Sequence, residues 1–158
     1  MLDAWPDMPF VTEAHIDIDV APELAFDTLL DHPTWKDWMP PSFRVASPAD
    51  GPHRLGHRFR VRVAGAPFAS SIELTIADRP HEIAWCGGVR GVLHADHRFR
   101  FSGDGKGGTH VHSHETWSGA LARFLRPVLA RAAERVGREQ LAGLATACRA
   151  RSATPREG

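Results

Sequence analysis

From Leu121 to about Arg151 the chain reads as one long amphipathic helix, and no segment upstream is as long. Leu121, Leu125, Val128, Leu129, Ala132, Val136, Leu141, Leu144 and Cys148 recur mostly three or four residues apart, while Arg123, Arg126, Arg131, Arg135 and Arg138 fill the gaps. That is the period of a helix with one apolar and one charged face. Pro127 has no N–H to donate and suits a first turn better than an interior, so the pattern predicts a short lead-in turn over 120–126 and a main helix starting near Pro127. At 1.5 Å per residue the main helix, roughly 24 residues, reaches about 36 Å. A helix of that length can lie across a whole small sheet.

The residues before it supply the sheet. Ala14, Ile16, Ile18 and Val20 alternate with Glu13, His15, Asp17 and Asp19, the period of a strand with one wet face, over Phe10–Val20. Ala21-Pro22-Glu23 opens a helix that buries Leu24, Leu29 and Leu30 and ends near Asp31. A second short helix holds Trp35 and Trp38 on one face until Pro40-Pro41 stops it. After Ser42 the period is two, broken by glycine and proline, as far as Gly119. Predicted strands cover Phe43–Ala46, a run with Phe59, Val61 and Val63 inward, and a run with Phe68, Ser70, Ile72, Leu74 and Ile76 inward. His81–Gly87 and Leu93–Ser102 follow, then Thr109–Gly119. Gly65-Ala66-Pro67 and Asp104-Gly-Lys-Gly-Gly108 read as hairpin turns, and Trp5 as part of an N-terminal cap. The order is strand, two short helices, about six antiparallel strands and one long helix, an α+β arrangement in which the helix covers the apolar face of a curved sheet.

Composition narrows the function classes. Lys+Arg and Asp+Glu each number 19, so no global field draws nucleic acid or an anionic membrane, and the helix arginines read as a solvated face. Two cysteines make no disulfide framework, and no apolar run is long enough to span a bilayer. The expectation is one ligand-binding domain over 1–150 with a disordered tail over 151–158. It is expected to be cytoplasmic, without stable membrane insertion, and a monomer or homodimer.

Ala21-Pro-Glu with Phe26, Trp35-Lys-Asp-Trp38-Met-Pro40, Ile83-Ala-Trp85, Gly91-Val-Leu with His97-Arg-Phe99, and Glu115-Thr-Trp117-Ser-Gly119 occur in an order that spans nearly the whole chain. In these residues the sequence resembles the helix-grip domains of the START-like and Bet v 1-like (SRPBCC) superfamily, most closely its bacterial polyketide cyclase/dehydrase-like branch. The resemblance implies a six- to seven-stranded curved antiparallel sheet wrapped around the C-terminal helix, with a cavity between them. Proteins of this fold range from lipid carriers to cyclases and hydrolases, so it implies a pocket rather than a reaction.

The last two strands can be registered by requiring their apolar sides to face the same way. Phe101 opposite Val111 then sets Phe99 by Ser113, His97 by Glu115, and Leu93 or Ala95 by Trp117. Glu115 orients and charges His97, or one of them serves as general acid–base toward a ligand carbonyl, or the two form a buried pair that satisfies itself. The expected lining of the pocket is Trp35, Trp38, Phe59, Phe68, Ser70, Ile72, Trp85, Phe99, Ser113, Trp117, Leu125 and Leu129. His110, His112 and His114 share the outer face, where the register sets Arg100 opposite His112 and Arg98 opposite His114. Guanidinium groups beside the imidazoles repel a cation, and side chains about 6.6 Å apart at i and i+2 leave only adjacent pairs able to chelate. No metal and no cofactor are expected. Cys86 should be inert, and Gly87–Gly91 a flexible turn or a gate.

The preferred expectation is a binding module for a hydrophobic, ring-containing small molecule, lipid or polyketide-like. A polyketide aromatase/cyclase or dehydratase using His97 and Glu115 is the enzyme alternative. A cochaperone-like protein-interaction module is the third reading, which an exposed apolar patch outside the pocket would favour.

Overall fold

The computed structural model describes residues 8–47, 54–63 and 69–154. Strand β1 (Phe10–Ile18) leads into α1 (Pro22–Leu30), a 3-10 turn at His32–Thr34 and α2 (Trp35–Trp38). Six strands follow: β2 (Phe43–Ser47), β3 (Arg58–Val63), β4 (Ser70–Asp78), β5 (Glu82–Val89), β6 (Leu93–Gly103) and β7 (Thr109–Ser118). The chain closes with α3 (Ala120–Phe124) and α4 (Arg126–Ala153). The strands form one curved antiparallel sheet in the order β1-β7-β6-β5-β4-β3-β2, with the long C-terminal helix against its concave face: the helix-grip arrangement. The expectations for Trp5, Gly65-Ala66-Pro67 and Phe68 concern positions outside the described residues.

Pairing explains the topology. From β2 to β7 each strand hydrogen-bonds its successor, and β1 joins the far side of β7, Phe10 opposite Trp117 and Ile18 opposite Thr109. The β6–β7 turn is shaped by the Asp104 carboxylate, which accepts the backbone N–H groups of Lys106 (2.7 Å) and Gly108 (2.9 Å). This short-range capture is why aspartate recurs in such turns.

One expectation for β4 fails. A bulge between Leu74 and Ile76 inserts an extra residue opposite Trp85 and Ala84, so Ile76 leaves the face that Ile72 and Leu74 keep. Period-two reading has no signal for an inserted residue.

The seating of α4 differs more. The expected apolar face holds at Leu141, Leu144 and Cys148, which are buried, and Val136 packs against the core, but the first half of the helix buries Ala133, Gly137 and Gln140 in place of Leu125 and Val128. Leu125 is 39% exposed and Val128 73%. Small side chains let α4 lie close on β1, where a Cβ on Gly137 would stand 3.7 Å from that of Ala14. The bulkier residues of the first turns are left outside, so Leu125 does not line the interior. The far end is fixed by Arg151, which donates to Asp31 and to Thr28 Oγ1. Residues 151–153 are therefore helical rather than part of a disordered tail.

At Gly143 helix α4 crosses α2 so closely that a Cβ would overlap the Trp38 carbonyl oxygen. In an open helix Gly→Ala stabilises by about 0.5–1 kcal/mol. Here overlap with backbone dominates, and Gly143→Ala is expected to lower stability by about 1–3 kcal/mol. Urea denaturation measures the sign; a gain would mean that the two helices stand farther apart.

Candidate functional site

The middle of the concave face holds a row of aromatic rings. Trp35 is fully buried and donates its indole N–H to the Leu29 carbonyl at 2.9 Å. Its ring lies 5.3 Å from Phe59 and 5.4 Å from Trp85, and Trp85 lies 4.9 Å from Phe99. His32, which the sequence reading did not single out, joins them 4.7 Å from Phe59; burial lowers its pKa to about 4, with the nearby His57 acting in the same direction. A histidine beside a proline in a turn carries no period, so only the fold could reveal it. Trp35, Phe59, Trp85 and Phe99, with Ile72, were expected to line a cavity. They fill the space instead and form the core.

The polar side chains stand beside that row. β6 and β7 pair in the expected register, Phe99 opposite Ser113 and His97 opposite Glu115. His97 Nε2 is 2.7 Å from Ser113 Oγ, and His97 Nδ1 is 3.7 Å from Glu115 Oε1. The Ser113 contact is a hydrogen bond and the Glu115 contact is not. His97 also stacks on Phe99 at 4.2 Å. The expectation that Glu115 charges the imidazole is not met. Burial lowers the His97 pKa from 6.5 to about 3, with His114 adding to the effect. Burial raises Glu115 from 4.5 to about 8, against a smaller opposing hydrogen bond from Trp117. Withdrawal from water costs each group more in its charged form than the other group returns, so near neutral pH the site holds a neutral imidazole and a protonated carboxyl. The carboxyl keeps 17% of its side chain accessible.

Around Glu115 lies a half-open crevice bounded by Thr12, Glu13, Ala14, Ser113, Ala133, Glu134 and Gly137. It is too narrow to admit a water molecule. Trp117, two residues along β7 from Glu115, is stacked on Phe10 at 6.3 Å and donates to Thr12 Oγ1 at 3.4 Å. Of the other expected lining residues, Trp38 is half-buried and donates to Thr34 Oγ1 at 3.1 Å, while Ser70 and Leu129 are half-buried. Leu121, Phe124, Leu125 and Val128 form an apolar corner where α3 meets α4, with Phe124 83% exposed.

The glycine-rich segment is more constrained than a free gate. Gly87 and Gly88 belong to β5, and the tip is tied to α3 by hydrogen bonds from Ala120 N–H to Gly91 O (3.0 Å) and Leu121 N–H to Val92 O (2.8 Å). Gly119 makes this approach possible: its φ is +104°, and a Cβ there would collide with the Val92 backbone. Cys86 faces the opposite side of the sheet, and burial raises its thiol pKa, as an inert cysteine requires.

Residues 9–149 match the family described as polyketide cyclase / dehydrase and lipid transport. Among solved structures, the Zhui aromatase/cyclase of Streptomyces sp. R1128 superposes with a TM-score of 0.69 at 16% identity, over 92% of this chain and 96% of that one. Norcoclaurine synthase of Thalictrum flavum, in complex with dopamine and hydroxybenzaldehyde, gives 0.70 at 12% identity over 95% and 91%. A Thermus thermophilus protein gives 0.68 at 18% identity over 91% and 100%. At these identities the likeness is one of fold. A search of curated protein sequences finds no match.

The two shifted groups carry a pH signature. Glu115 is raised, so its contribution to stability is complete below 4.5 and is lost as pH rises toward about 8. His97 is lowered, so its contribution is complete above 6.5 and is lost as pH falls toward about 3. The slopes oppose each other between 4.5 and 6.5, and above 6.5 the Glu115 slope stands alone. Wild-type stability is expected to fall by about 1–2 kcal/mol between pH 6.5 and 8. Glu115→Gln should abolish that fall and keep the acid-side loss. Urea denaturation across this range decides it; an equal alkaline fall in the variant would mean that Glu115 is ionised when folded.

Proposed function

The chain belongs to the polyketide cyclase / dehydrase and lipid transport family, and from that premise we propose that it binds a hydrophobic, ring-containing small molecule between the sheet and α4. The observation that carries the proposal is the uncharged polar group formed by Glu115, His97 and Ser113 beside the aromatic row. A protonated carboxyl can donate a hydrogen bond to a ligand carbonyl, and neither it nor the imidazole presents a charge to an apolar guest. Because the interior is contracted around Glu115, admission of a guest requires α3 and the first turns of α4 to move outward. Those turns bury little, which makes them the least costly part of the helix to displace.

One observation favours a catalytic version of this reading. Two titratable groups 3.7 Å apart have pKa values pushed in opposite directions, the pattern that lets one act as acid and the other as base. In that version Glu115 protonates a ketone oxygen of a poly-β-ketone while His97 accepts a proton from the adjacent carbon, giving a cyclase or dehydratase. The exposed corner at Phe124 and Val128 fits the rim of an apolar entrance, and it is also the feature on which a protein-interaction reading would rest.

An environment-sensitive apolar dye at micromolar concentration is expected to bind the folded protein and to lose at least about tenfold in affinity in Trp117→Arg, which replaces the indole beside Phe10 and Thr12 with a charge. Failure of the dye to bind, or equal binding by the variant, refutes the pocket. Native mass spectrometry of protein from its own host should retain a ligand that names the chemical class. Turnover of a bound poly-ketone lost in both Glu115→Gln and His97→Gln, with binding kept, selects the enzyme.

A further inference from the structure

The convex face of the sheet carries a second cluster that the pocket reading does not use. β1 pairs with β7 so that His15 lies opposite His112, Asp17 opposite His110 and Glu13 opposite His114. The outward residues of the two strands thus form a ladder of four imidazoles and two carboxylates. Its members touch: His112 Nε2 lies 3.0 Å from Glu13 Oε1, His15 Nδ1 lies 3.1 Å from His110 Nε2, and His110 Nδ1 lies 2.7 Å from Asp17 Oδ1. The His15 and His112 rings stack at 4.3 Å. Ligand atoms of Glu13, His15 and His112 all fall within 4.8 Å of one another.

We propose that Glu13, His15 and His112 bind a divalent transition-metal ion of the zinc class on the convex face, with His110 as an adjacent further donor. Three arguments carry it. Donors of a tetrahedral zinc site, about 2.0–2.2 Å from the metal, are about 3.3 Å apart. Within the trio, Glu13 Oε1 and His112 Nε2 at 3.0 Å already have that spacing, and the further donor His110 Nε2 stands 3.1 Å from His15 Nδ1; the stacked His15 and His112 rings must turn edge-on to the ion, a rotation open to surface side chains. Second, Asp17 holds one His110 ring nitrogen and leaves the other beside His15, the carboxylate–histidine arrangement that fixes a ligating imidazole. Third, the sequence objection does not hold. Arg98 and Arg100 do lie opposite His114 and His112 on β6, but their guanidinium groups turn toward carboxylates. Arg98 pairs with Asp96 at 3.0 Å and Glu82 at 3.3 Å, and Arg100 with Glu82 at 3.9 Å. The chelating pair is not an i, i+2 pair on one strand but a cross-strand pair, which period-two spacing along β7 could not reveal.

Such an ion joins edge strand β1 to β7. It sits behind Thr12 and Ala14, whose side chains bound the space at Glu115 on the other face.

The test uses the full chain without an affinity tag, zinc ion and a competing chromophoric chelator. Expected are one equivalent of zinc bound and an affinity weakened at least about tenfold in each of His15→Ala and His112→Ala. Bound cobalt should show a tetrahedral visible spectrum that both variants lose. His81→Ala, an exposed histidine at the β4–β5 turn, should bind as the parent does. Absence of saturable uptake at about 100 μM zinc, or a smaller loss in either ladder variant, overturns the proposal. Far-ultraviolet circular dichroism confirms that the variants fold, as surface substitutions on strands should.

Discussion

The pairing of β7 with β1 on one side and β6 on the other decides which side chains can meet. A strand bonded on both edges cannot slip without breaking two ladders, and a slip of one residue would exchange its faces. With the register held, Val111, Ser113 and Glu115 face α4 and His110, His112 and His114 face out. Both candidate sites follow from that alternation. The interior one is built from β6 and β7, and the exterior one from β7 and β1.

The interior site takes its chemistry from burial rather than from an ion pair. His97 bonds Ser113 and stacks on Phe99, and its burial among them holds the imidazole neutral. Among the described residues no cation lies within bonding distance of Glu115, which is held protonated by the same desolvation. A charged pair would need better geometry than 3.7 Å to offset the loss of water from two ions. The outer cluster has opposite physics: partly exposed imidazoles and carboxylates keep their solvation and remain close enough to share protons or a cation.

Helix α4 sets how much room the interior has. Its contact with β1 runs through Ala133, Gly137 and Ala14, and its crossing with α2 through Gly143. Residues without bulk bring the backbones together and contract the space around Glu115. They also leave Leu121, Phe124, Leu125 and Val128 on an exposed corner. Close packing at one end of the helix and an apolar rim at the other are two results of the same distribution of small and large residues.

Periodicity alone determined much of this protein: the seven strands in order, the paired short helices, the lead-in turn before the long helix, and the opposition of His97 and Glu115. Each rests on alternation or spacing along the chain, which local sterics impose. The tertiary structure decided the rest. The bulge at Ile76 inserts a residue that no period marks, and the first half of α4 seats on Ala133 and Gly137 because close approach rewards small residues over large ones. The aromatic side chains expected around a cavity pack against one another because dispersion and burial favour contact over a void. The histidines on β7 gained Glu13, His15 and Asp17 as neighbours only when β1, some ninety residues earlier, paired beside them, a proximity that no spacing along the chain encodes.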